Sequence, residues 1–177
     1  MKVEAVSITA YVFVDEPEVL SVKHGMIKGN ANASGVSEIE TGCPEVDYYT
    51  SIPFEAQISG FKSYTNKTIE LTIDKNFLLD EGFAPKVYKV SDGKLTDLAE
   101  QTENSIKINT EKQDDGTTKV IIDLGTLQTN EIIVRYNAKT NKQPEQTTEV
   151  GDDGINITKG ENIVYTNTIK VTSKTSN

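Results

Sequence analysis

An all-β sandwich is the fold this sequence predicts, on three observations. Segments rich in Val, Ile, Thr, Tyr and Phe recur along the chain, and several alternate apolar with polar residues, the period of a half-buried strand. Gly, Pro, Asn and Asp punctuate them at the spacing expected of a sandwich. Threonine and asparagine are abundant while alanine is scarce, which favours extended chain over helix. The 177 residues suffice to bury a core in one large or two small domains.

Val3 to Val14 is β-branched and aromatic, is bounded by Asp15-Glu16-Pro17, and predicts a long first strand. It either forms an appended element, residues 1–18, or pairs with the edge of a sandwich spanning residues 19–177. Val19 to Met26 predicts a second strand carrying Lys23 and the single histidine, His24. The Gly, Asn and Ser content of Lys28 to Pro44 predicts an irregular loop. Val46 to Ile52 alternates as a strand, and Pro53 is expected to end or kink it. From Lys67 to Asp74, Ile69, Leu71 and Ile73 are expected inward and Thr68, Glu70 and Thr72 outward.

Asn76 to Gly82 predicts one short helical turn stopped by glycine. Lys86 to Val90 is a short strand before the turn Ser91-Asp92-Gly93-Lys94, and Ser105 to Asn109 with Thr118 to Leu124 forms a hairpin across Asp114-Asp115-Gly116. Glu131 to Ala138 is the penultimate strand, Thr140 to Gly154 a polar surface loop, and Glu161 to Lys170 the last strand. In that strand Ile163, Tyr165 and Asn167 share a face. A buried amide needs hydrogen-bond partners, so Asn167 is either an exposed polar position or a residue with chemistry. The total is roughly nine or ten strands with at most one helical turn.

Charge and composition exclude several functions. A net charge of -9 and a pI near 4.7 argue against nucleic acid and anionic membrane surfaces, which demand clustered Lys and Arg. One cysteine, Cys43, excludes an internal disulfide and a cysteine-based metal cage. No apolar run approaches a membrane span, so no membrane insertion of this chain is expected. The start, Met1-Lys2-Val3-Glu4, lacks the h-region of a signal peptide, and no sorting motif closes the chain. An extracellular placement therefore implies a mature fragment or an excised domain.

No Gly-rich phosphate loop, nucleophile elbow or histidine pair for zinc is present, which argues against turnover chemistry; no cofactor is expected. Gly151-Asp152-Asp153-Gly154 is oxygen-rich but lacks the spacing of an EF-hand, and a solvated turn is the expectation. The Asn-X-Ser/Thr triplets at Asn32, Asn66 and Asn156 are expected by chance in such a composition.

A further motif set carries chemistry. Leu20-Ser-Val-Lys23, Val46 to Pro53, Leu71 to Phe83, Ile132 to Ala138 and Asn167-Thr-Ile-Lys-Val-Thr172 occur in this order from about Leu20 to the C-terminus. Together they resemble the isopeptide-forming domains of Gram-positive pilins and collagen-adhesin-type surface proteins. The resemblance implies an immunoglobulin-like sandwich in which the Lys23 amine attacks the Asn167 amide carbon and expels ammonia, with Asp74 as the acid. Such a reaction needs burial, which frees the amine and keeps the acid protonated, and fixed geometry in place of a cofactor. Asp74 directly follows Ile73 and so points away from Leu71 and Ile73 in a regular strand, which leaves a bulge, Glu70 or Asp47 as alternatives for the acid. Lys28 is a second candidate nucleophile.

These features predict a structural and adhesive module of a bacterial cell-surface adhesin or pilus subunit, at the cell wall or cell surface, and not an enzyme. Its expected partners are neighbouring domains or subunits of the same surface protein. The alternative is a sandwich that binds a host glycan or protein through loops such as Lys28 to Pro44 or Thr140 to Gly154, with Tyr48, Tyr49, Phe54, Phe61 and Tyr64 as candidate aromatics.

Overall fold

The computed structural model describes residues 2–11, 19–61, 67–98, 106–141, 147–159 and 163–173. Among these it is all-β, an immunoglobulin-like sandwich of two sheets with an added hairpin and no helix. Thirteen strands are present among the described residues, more than the nine or ten expected.

The first sheet runs in the order β1 (Lys2–Tyr11), β13 (Val164–Ser173), β4 (Lys67–Ile73), β9 (Thr118–Asp123), β8 (Lys107–Lys112). The second runs β2 (Ser21–Met26), β3 (Ser51–Ser59), β10 (Glu131–Thr140), β6 (Lys86–Ser91), β7 (Lys94–Asp97), with the two-residue β5 (Phe77–Leu78) also on β10. Alternation decides what lies between them. Phe54, Ala56 and Ile58 of β3 and Ile132, Val134, Tyr136 and Ala138 of β10 meet Ile69, Leu71 and Ile73 of β4, Val120 and Ile122 of β9, and Tyr165, Ile169 and Val171 of β13, all buried. The inward set expected for β4 is the observed one.

β1 lies at the edge of the first sheet and pairs with β13 in parallel, from Lys2 opposite Val164 to Tyr11 opposite Thr172. Residues 12–14, Ser105 and Glu161 of the expected strands, with Tyr64 and Asn66, lie outside the described residues. Val19 is held beside the end of β3 because Gly60, at φ 98°, leaves room that a Cβ would fill against the Val19 carbonyl oxygen.

Three expectations are corrected. The strand placed at Val46 to Ile52 begins at Ser51 and runs through Pro53 to Ser59. Ile27 N donates to Pro53 O at 2.9 Å, so the proline's missing donor also faces that side, just past the end of β2, and the ladder to β10 is intact. The helical turn expected over Asn76 to Gly82 is instead an Asx turn, Asn76 N donating to Asp74 Oδ1 at 2.8 Å, followed by β5. There Phe77 is drawn into the core against Phe54 and Tyr165, and tertiary burial overrides local propensity. The loop expected over Thr140 to Gly154 contains β11 (Thr147–Val150), which pairs with β12 (Asn156–Lys159) as a hairpin. Val150 and Ile155 at its tip are 71% and 63% exposed, so burial imposed no alternation at the tip.

Candidate functional site

β2 turns alternate side chains to opposite faces, and this decides the fate of the expected crosslink. Lys23 is exposed on the outer face, whereas its neighbour His24 enters the core. His24 Nε2 lies 2.7 Å from Tyr136 Oη, and Asn167 Nδ2 donates to that same oxygen at 3.0 Å. Asn167 Oδ1 accepts from the backbone N–H of Asp74 at 2.9 Å. Asn167 is thus the buried amide with chemistry to satisfy rather than an exposed position, and its partners come from both sheets.

The bonds fix the protons. Because Asp74 N–H needs the amide oxygen, the amide nitrogen must face Tyr136, and Tyr136 Oη accepts there. The Tyr136 hydroxyl proton then goes to His24 Nε2, which leaves His24 neutral with its proton on Nδ1. Nδ1 is buried with no partner among the described residues. Burial lowers the His24 pKa from 6.5 to about 4 and pushes the Tyr136 hydroxyl well above its usual value, against a smaller opposing effect of the Asn167 bond.

None of the candidate acids addresses the Asn167 amide with its carboxyl group. Asp74 Oδ1 accepts from Asn76 N and Oδ2 from Thr166 N, both at 2.8 Å. Glu70 faces outward to Lys119 at 3.3 Å, and Asp47 is exposed. Lys28 is exposed and pairs with Glu38 at 3.5 Å. The structure brings Asn167 and the Asp74 backbone together but does not bring Lys23 to them, so the tie it offers between the sheets is a hydrogen-bond chain, His24 to Tyr136 to Asn167 to Asp74. The intact mass of the denatured protein is accordingly expected at the full sequence value. A deficit of one ammonia, abolished by Asn167→Ala, would show instead that an amine reaches this amide.

A second polar cluster lies on the outer face of the same sheet. Glu55 is fully buried there, its carboxylate held by Arg135 Nε at 2.6 Å, Ser37 N at 2.7 Å, Ser37 Oγ at 3.0 Å and Gln57 Nε2 at 2.7 Å. Arg135 Nη2 donates to the carbonyls of Asn32 and Gly35, both at 2.7 Å. The irregular segment expected over Lys28 to Pro44 is therefore strapped to the sheet by one buried ion pair. Nothing in the alternation of β3 distinguishes Glu55 from an ordinary solvent-facing residue, and it was missed for that reason. Tyr136 was missed as well, although its shared parity with Ile132 and Val134 is the signal that marks it as an inward hydroxyl.

Of the candidate aromatics, Phe54 and Phe61 are core residues. Tyr49 is 52% exposed, at a left-handed φ of 56°, with Lys139 Nζ 3.7 Å from its ring centroid. Asp152 and Asp153 form the turn of the β11–β12 hairpin, where Asp153 Oδ1 accepts from Ile155 N at 3.0 Å. Among the described residues no group of three or more His, Cys, Asp or Glu converges as metal ligands would.

No family model and no curated protein matches this chain. Among solved structures it is similar to one described as "AvmM Catalyzes Macrocyclization in Alchivemycin A Biosynthesis", at 11% identity and a TM-score of 0.29 over 91% of this chain and 92% of that one. A likeness of that size carries no functional argument.

Proposed function

We propose that this chain is a load-bearing module of an extended bacterial surface protein, of the adhesin or pilus type that its motifs resemble. The observation that supports this most is the parallel pairing of the first and last strands. Parallel neighbours run the same way, so the start of β1 and the end of β13 lie at opposite ends of their shared ladder. Tension applied through the two termini then loads its hydrogen bonds in shear, all together, instead of opening them one at a time. Behind that ladder the buried chain through His24, Tyr136 and Asn167 joins β13 to the second sheet, so β13 is anchored at its back as well as its edge.

Single-molecule pulling in two geometries tests the reading. Stretched through its ends, the domain is expected to yield at a force several-fold higher than when pulled between its N-terminus and residue 164, where Lys2 and Val164 are paired and the same ladder unzips. The second attachment uses Val164→Cys in a Cys43→Ser background. Equal forces in both geometries would exclude a mechanical role for this pairing.

A further inference from the structure

We propose that the outer face of the second sheet carries a binding groove for a neutral oligosaccharide. A groove of about 480 Å³ lies over β10 and β6, within the roughly 300–1,000 Å³ of ligand sites. Its floor is made of residues that the strands turn outward: Arg135, Asn137 and Lys139 at successive alternate positions of β10, beside Lys86 and Tyr88 of β6. β10 is paired with β3 along the floor, with β6 up to Arg135 and with β5 at Lys139, and Arg135 is fixed by Glu55 and two loop carbonyls, so the floor is preorganised. Asp80, Glu81 and Phe83 form the far wall.

The charges of this groove select the ligand class. Three cations, Lys86, Arg135 and Lys139, are set against Asp80 and Glu81 on the wall, Glu55 beneath Arg135, and Asp97 at 4.0 Å from Lys86. The signs nearly cancel, which offers a polyanion or a polycation no net field. What remains is a dense mixture of donors and acceptors with apolar surface between them, suited to a ligand whose hydroxyls both donate and accept. Tyr88, half-buried on the floor, supplies an aromatic ring of the kind that packs against the C–H face of a sugar. The groove stands whether or not the domain bears load.

The test is an amide-resolved NMR titration of the whole protein with neutral cello-, malto-, manno- and chito-oligosaccharides. At least one is expected to give saturable shifts centred on Gly82, Tyr88, Asn137 and Lys139. Asn137→Ala, at an exposed position, is expected to weaken that binding about tenfold, the effect of one or two lost hydrogen bonds, with the rest of the spectrum unchanged. Silence with all four neutral series would overturn the proposal. So would shifts outside the groove, shifts produced only by a heparin fragment or a charged peptide, or binding that both Asn137→Ala and Asp80→Ala leave unchanged.

Discussion

Arg135→Met is expected to destabilise the fold by about 3–5 kcal/mol, the cost of leaving a buried charge without its partner. Glu55 is 0% exposed and the Arg135 side chain 14%, so water cannot take over the neutralisation. Ser37 and Gln57 still donate to the carboxylate, but neither carries charge. The same substitution frees the carbonyls of Asn32 and Gly35, so hydrogen exchange over residues 32–37 is expected to accelerate beyond the change in global stability. Urea unfolding measures the first effect and amide exchange the second. The double variant Glu55→Leu with Arg135→Met should recover part of the loss, because an apolar replacement of a buried pair removes the orphan charge. A single variant within about 0.5 kcal/mol of the parent, the range of an ordinary surface substitution, would show that the strap is not structural.

The sandwich was legible because burial imposes a period of two on any strand with one face in a core. Ile69, Leu71 and Ile73 announce their strand and their inward face together, and the turns at Asp92-Gly93 and Asp115-Gly116 fall where the dipeptides place them. Legibility failed where a position's environment is set by a segment distant in sequence. Phe77 becomes a strand residue only because Thr140 is opposite it. Glu55 becomes a buried charge only because residues 32–37 fold over it. The site divides in the same way. Asn167 was marked by its presence in an inward strand position, but its partner could not be chosen from adjacent Lys23 and His24 until strand parity was fixed. A one-residue shift of register in β2 exchanges an amine for an imidazole at the core face, and with it a bond-forming group for a hydrogen-bond acceptor.

Acid is expected to weaken this protein through His24. Its imidazole is packed against Phe54 and Tyr136, with rings 6.4 and 5.8 Å away, and the polar groups of its chain, Tyr136 and Asn167, carry no negative charge. Glu55 on the adjacent strand faces the opposite side of the sheet. Burial therefore lowers the pKa from 6.5 to about 4. Between these values the unfolded chain binds a proton that the folded chain does not, so stability is complete above about pH 6.5, falls as the pH drops toward 4, and levels off below it. At 1.36 kcal/mol per pKa unit the total is about 3 kcal/mol. Protonation also turns Nε2 into a donor, which reverses its bond to Tyr136 and leaves the Tyr136 hydroxyl proton without its acceptor. His24→Gln retains an acceptor and cannot titrate, so comparing urea unfolding of parent and variant from pH 7 to pH 4 isolates this residue from the many carboxylates that titrate over the same range. The stability difference is expected to move by about 3 kcal/mol in favour of the variant on acidification, and the His24 ring proton followed by NMR should titrate near pH 4. Parallel curves would assign the acid sensitivity to the carboxylates and leave the His24 tie indifferent to pH.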